Sequence, residues 1–203
     1  MENLTIGITG GIGTGKSVVS RVLRCNGFEV YDCDTSAKKL MENDIHLKEK
    51  LRSELGGEIY HNNGSLNKKL LASKLFNDDN VRNFVNSLVH EAVRKEISSL
   101  RIKIKGKFFI ESAILFTSHL AEDCDKIWLV EAPLEERIKR VEKRDSMNRK
   151  EIEKRINSQR LEFSQIDSEK TLVIINDDYK PMLPIILQQI DKNQNNQIFT
   201  VLC

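Results

Sequence analysis

The chain has 203 residues, 39% of them hydrophobic and 31% charged, enough for one α/β domain with a sizeable core and a small inserted lobe. Its 32 basic and 30 acidic side chains leave a net charge of +2, so no global field draws it to nucleic acid or membrane and any basic site is local. It has no apolar run long enough for a membrane helix, no signal-peptide start, and no metal-ligand spacing among its cysteines and histidines, a pattern that fits a reduced, cytoplasmic protein.

Leu4–Thr9 is a short apolar run ending in glycines, the pattern of a buried parallel strand. A helix runs on from Lys16 and closes near Gly27. Phe28–Asp32, Lys107–Ser112, Lys126–Ala132 and Thr171–Asp177 read as four more strands, with helical segments between them. The sequence therefore predicts a five-stranded parallel sheet flanked by helices.

One connection is too long. More than seventy residues part Asp32 from Lys107, whereas a crossover between parallel strands needs about a dozen. Within it, residues 66–76 have helical periodicity. From Asp78 a capping acid leads into a run that puts Val81, Phe84, Val85, Leu88, Val89, Ala92 and Val93 on one face. The reading is a helical lobe inserted at 57–105, suited to a second substrate.

Pro133 falls at an expected first helical position, followed by Glu135 and Glu136 in the first turn. Asn148, with Glu151 three residues on, is a capping-box start for a second helix. These two basic helices form a hairpin over 133–163. The remaining segments, 1–56, 106–132 and 164–203, make up the core of a single domain. The closing stretch "DKNQNNQIFTVLC" carries no recognisable chemistry.

Five glycines crowd into Gly7–Gly15, and Gly10-x-x-x-x-Gly15-Lys16-Ser17 matches the phosphate-loop pattern G-x-x-x-x-G-K-[ST] completely. A strand precedes it and a helix follows. Glycines let backbone N–H groups converge on one anion at a helix N-terminus, so Gly10, Gly11, Ile12, Gly13, Thr14 and Gly15 form a cradle for the phosphates of a nucleoside triphosphate, with Val18 just beyond. Lys16 reaches the β- and γ-phosphates, and the Ser17 hydroxyl can ligate Mg²⁺. The fold class is a P-loop NTPase of nucleotide-kinase-like architecture.

A phosphate loop alone does not separate a kinase from a nucleotide-dependent regulatory switch. Three features favour a kinase. "YDCDT" places Asp32 and Asp34 at the carboxyl edge of the sheet, where one carboxylate can take a proton from an attacking hydroxyl. Helix capping is the other use for Asp34, and the local pattern leaves both open. Arg137, Arg140 and Arg144 share one helical face, either to stabilise charge on a transferring phosphoryl group or as a solvated basic face. The hairpin itself is a candidate lid to exclude water.

Several segments in order resemble the dephospho-coenzyme A kinase family: "GITGGIGTGKS", "VYDCDTSAKKL", "FFIESAILF", "RVEKRD", "RINSQ" and "VIIND". The resemblance runs along nearly the whole chain. It implies transfer of the γ-phosphate of ATP to the 3′-hydroxyl of the ribose of dephospho-coenzyme A, with ATP and Mg²⁺ required. It further implies Asp34 as general base, Arg140 and Arg144 as lid contacts to phosphate, and Asn176 as a contact to the nucleotide base. Asp32, His90 and Glu111 fall at acceptor-side positions. The sequence departs from the family pattern at Val18, Glu91, Thr117 and Thr171. Another nucleoside or nucleotide kinase is the nearest alternative. The expected partners are small molecules alone, and a monomer is the favoured state.

Overall fold

The computed structural model describes residues 3–164, 166 and 168–191. Its organisation starts from β1 (Leu4–Thr9), whose residues are wanted by two cores at once. Ile6 and Ile8 enter one apolar cluster. On the opposite side, a Cβ at Gly7 would lie 2.6 Å from Leu115 Cδ2, so only glycine lets that layer close down on the strand. A strand buried on both faces belongs in the middle of a parallel sheet.

The strands hydrogen-bond in the order β2 (Glu29–Asp32), β3 (Lys107–Glu111), β1, β4 (Lys126–Glu131) and β5 (Thr171–Ile175), every pair parallel. The predicted five-stranded parallel sheet is the sheet observed. Because all strands point the same way, the segments following β1, β2, β3, β4 and β5 emerge along one edge.

Two helices cover one face. α1 (Lys16–Cys25) ends as the sequence suggests: Gly27 takes φ 82°, its N–H bonds Arg24 O, and the Phe28 N–H bonds Leu23 O. α8 (Met182–Asp191) lies beside it, and Ile186 and Ile190 pack with Phe109, Trp128 and Ile174. Phe109 sits edge-on between Phe28 and Trp128, with ring centroids 5.4 and 5.3 Å away.

The other face carries α2 (Cys33–Asn43), α3 (Ile45–Leu55), α4 (Lys68–Asn77) and α5 (Asp79–Lys103) in one continuous apolar cluster. Asp78 caps α5 by accepting from the Asn80 and Val81 N–H groups, and Val85, Val89, Val93 and Ile97 form its buried stripe. α3, like α8, was left out of the sequence reading. Its signal was present, for Leu47, Leu51 and Leu55 recur every fourth residue behind the capping Asp44, and all three are buried.

The basic hairpin comprises α6 (Leu134–Asp145) and α7 (Arg149–Ser158) around Ile138, Val141 and Ile152. Pro133 caps α6 and is not its first helical residue; with ψ 143° its backbone is still extended. The Asn148–Glu151 capping box forms as predicted. Among the described residues no helix is long and apolar enough to cross a membrane. The last twelve residues of the closing stretch, 192–203, lie outside the described residues.

A correction concerns the D-x-D segment. Asp32, not Asp34, caps α2, accepting from the Thr35 N–H at 2.9 Å and from its hydroxyl at 2.8 Å. Its backbone is extended, at φ −91° and ψ 103°, whereas Asp34 already lies within the helix. Asp32→Ala should therefore lower stability to denaturant by about 1 kcal/mol, and Asp32→Asn, which keeps the cap, by clearly less. Equal losses in urea titrations of the two variants would show that the cap contributes nothing.

Candidate active site

The phosphate loop connects β1 to α1, and its shape is imposed from outside through its carbonyls. Arg137 Nε donates to Ile12 O at 2.9 Å, Arg140 to Gly13 O at 3.3 Å, and Asn176 Nδ2 to Thr14 O at 2.8 Å. A trans peptide points its N–H opposite its C=O. Pinning these carbonyls therefore turns the N–H groups of Gly13, Thr14 and Gly15 the other way. Glycine is needed where the frame comes closest. Gly13 has φ 78°, and a Cβ there would meet the Arg137 backbone oxygen at 2.6 Å. Gly15, at φ 103°, would push its Cβ into Asn176 Nδ2.

Lys16 folds back across the loop, donating to Gly10 O at 2.6 Å and Gly11 O at 3.3 Å. Burial pulls its pKa down, against attraction from Glu111 and Asp34, while Arg137 and Arg144 push the same way as burial. Thr14 is buried, and its hydroxyl donates to Gly11 O, closing the loop on itself.

A pocket of about 530 Å³ opens over this loop. Ile12, Gly13, Gly15, Lys16, Ser17 and Val18 line it on the loop side, Asp34 and Glu111 on the acidic side, and Arg140 and Arg144 on the lid side. Ten of the residues singled out in the sequence thus converge on one space. Arg155, Ser158 and Gln159 of the lid join them; all three fall in the segment "RINSQ", although the sequence reading gave Ser158 and Gln159 no individual role. Arg137 stands outside this pocket, bound to Ile12. Asn176 meets the loop backbone, and Asp32 serves α2.

Asp34 occupies a special place. It keeps a solvent-exposed edge, yet the pocket walls strip part of its hydration. That desolvation, with repulsion from Asp32, raises its pKa above the ordinary carboxylate range despite Lys16 and Lys38 nearby. A second cavity, of about 190 Å³, lies between α2, α5 and the segment after β3, with His90, Val89, Ser112 and Ile114 in its wall. Burial lowers the pKa of His90, and Arg94 and His119 add to the effect. Of all residues lining either space, Asp34 alone lines both.

Two further residues were missed. Gln159 Oε1 accepts the Ile12 N–H at 2.8 Å. Glu162, only 3% exposed, accepts from the Phe116 and Thr117 N–H groups and the Thr117 hydroxyl at 2.7, 3.0 and 2.7 Å. Both lie far from their partners in sequence, so no local pattern announces these contacts.

The residues present suit a hard divalent cation. The phosphate-loop pocket offers the Ser17 hydroxyl and the Asp34 and Glu111 carboxylates, all oxygen donors. Among the described residues no group of three His, Cys, Asp or Glu side chains could hold a metal unaided. Such a donor set fits an ion that takes its remaining ligands from phosphate and water.

The family model described as Dephospho-CoA kinase matches residues 4–180. A dephospho-CoA kinase from Bacteroides fragilis is 39% identical over 189 residues, covering 92% of this chain and 91% of the relative. The crystal structure of TT1252 from Thermus thermophilus superposes with a TM-score of 0.79 at 28% identity, over 97% of this chain and 100% of that one. Dephospho-CoA kinase from Campylobacter jejuni shares the fold, with a TM-score of 0.67 at 23% identity over 95% and 98% of the two chains. A match spanning phosphate loop, acidic edge and lid has one meaning: the chain belongs to the dephospho-CoA kinase family.

Proposed function

We propose that this protein transfers the γ-phosphate of ATP to the 3′-hydroxyl of the ribose in dephospho-coenzyme A, giving coenzyme A and ADP. The observation that carries the reading is the position of Asp34, shared between the phosphate-loop pocket and the cavity beside His90. A base so placed can face a nucleotide on one side and an acceptor alcohol on the other.

In the proposed reaction the loop N–H groups and Lys16 hold the triphosphate. The acceptor enters beside α5, in the lobe at 57–105. Its hydroxyl oxygen attacks the γ-phosphorus, the bond to the β–γ bridging oxygen breaks, and ADP leaves. The hydroxyl proton passes to Asp34. Arg140 and Arg144, on the lid at 133–163, offset charge on the transferring group. Ser17 would hold Mg²⁺, which supplies neutralisation of the β- and γ-phosphate oxygens. Asn176 holds the loop near the bound nucleotide. The proposed working unit is a monomer, and the proposed setting is the cytoplasm.

The purified protein with ATP and Mg²⁺ should form ADP in proportion to added dephospho-coenzyme A, and far more slowly with nucleosides or nucleoside monophosphates. Asp34→Asn should lower kcat by about 10²–10⁴-fold with an unchanged melting temperature. Equal turnover on another acceptor would overturn the substrate, and near-normal turnover by the variant would overturn the base.

The acid limb of the pH profile provides a separate test. A base works deprotonated, so kcat/KM should fall as pH drops through the raised pKa of Asp34. Asp32→Asn removes the repelling charge and keeps a capping side chain, so the limb should move to lower pH. Titration of the substrates is common to both enzymes. Superimposable acid limbs would assign that limb to another group.

A further inference from the structure

We propose that Gln159 is a positioning residue for phosphoryl transfer, fixing the tip of the phosphate loop through Ile12 and held in place by Glu162. The inference rests on the phosphoryl-transfer reading above and extends it to a side chain that hydrogen-bonds the loop backbone.

The two peptide groups flanking Ile12 are each held by a lid side chain, one through its N–H and the other through its carbonyl. Gln159 Oε1 takes the Ile12 N–H at 2.8 Å, and Arg137 Nε gives to the Ile12 carbonyl at 2.9 Å. The first contact fixes the Gly11–Ile12 plane and the second the Ile12–Gly13 plane. Together they set the direction of the Gly13 N–H, which follows the second plane. Lys16 draws the Gly10 and Gly11 carbonyls toward itself, which turns the Ile12 N–H away and leaves it for Gln159.

Gln159 is not free to wander. It terminates α7, and its carbonyl accepts the Glu162 N–H at 3.1 Å in a tight turn. The Glu162 carboxylate is buried and takes three donors from Phe116 and Thr117, in the segment after β3. That segment also supplies Ser112, Ile114 and Ser118 to the cavity beside His90. One short turn thus joins the loop tip to the acceptor side. It also sets the α7 face that turns Arg155 and Ser158 into the phosphate-loop pocket.

Misplacing a reacting group by about 1 Å can cost as much as 10²-fold in rate, so loss of this contact belongs in kcat. Gln159→Ala should lower kcat by about tenfold and leave the KM for ATP within about threefold. Gln159→Glu keeps an acceptor oxygen for the Ile12 N–H, so it should restore kcat while its charge raises the KM for ATP. Amide exchange at Ile12, read by NMR on the protein without substrates, should quicken by about tenfold in Gln159→Ala and not in Gln159→Glu. Glu162→Gln should reproduce the kcat loss, and the double variant should be no slower than either single one. Where Glu162→Gln does not fold, Thr117→Val, which removes one of the three donors, replaces it. Unchanged exchange or kcat in Gln159→Ala, no recovery in Gln159→Glu, or multiplying losses in the double variant would each overturn the proposal. If dephospho-coenzyme A is not the acceptor, the proposed function fails while the exchange measurement still decides the Ile12 contact, and rates are read on whichever acceptor is turned over.

Discussion

The site depends on carbonyl oxygens held outside the phosphate loop. A glycine-rich segment has many shapes open to it, and its anion-binding form is one of few that aim several N–H groups at one point. Here Arg137 and Arg140 from α6 and Asn176 from the end of β5 each hold one carbonyl, and Lys16 holds two more from within. Hydrogen bonds from charged donors contribute more than neutral ones, about 1.5–3 kcal/mol each where water is excluded. The loop is therefore shaped by elements more than a hundred residues away in sequence. Its glycines are the complement of that frame, since side chains at Gly13 or Gly15 would collide with Arg137 or Asn176.

The acidic side is ordered by the way α2 begins. Asp32 is extended and turns back to cap the helix, and Cys33 goes inward to the core. Asp34 is thereby carried to the pocket wall, one residue further round. Two carboxylates two positions apart thus acquire different work, one structural and one facing the pocket. Burial and the flanking acids push the Cys33 thiol far up, which makes it a packing residue and not a thiolate nucleophile. The Cys124 thiol, also buried, is pushed up to about 12.

Strands and caps were legible because their causes are local. Apolar runs marked all five strands, Gly27 marked the end of α1, and the Asn148–Glu151 pair marked the start of α7. The phosphate loop was legible because its chemistry demands fixed residue types at fixed spacing. The choice between Asp32 and Asp34 as cap was not, since it turns on a single residue of helix start. The contacts of Gln159 and Glu162 were invisible for a different reason. Each residue is an ordinary polar side chain, Gln159 at the end of a basic helix and Glu162 in the turn beyond it, and its partner is 147 residues away in one case and 45 or 46 in the other. Tertiary hydrogen bonds of that kind leave no periodicity behind.

The lid arginines divide by their distance from the loop frame. Arg137 is half-buried and committed to Ile12. Arg140 is shared among Gly13 O, Asn176 O and the Asp178 carboxylate, so it braces the loop and the β5 exit together. Arg144, one turn further on, is exposed and, among the described residues, paired with its neighbour Asp145. A surface pair of that kind contributes at most about 1 kcal/mol, so exchanging the carboxylate for a phosphate costs little. In the proposed reaction, Arg137 would preserve the cradle through each turnover, Arg140 would brace it while facing the transferring group, and Arg144 would change partners. A single helix face can serve both ends because 3.6 residues per turn place successive guanidinium groups along one line, from rigid frame to open pocket.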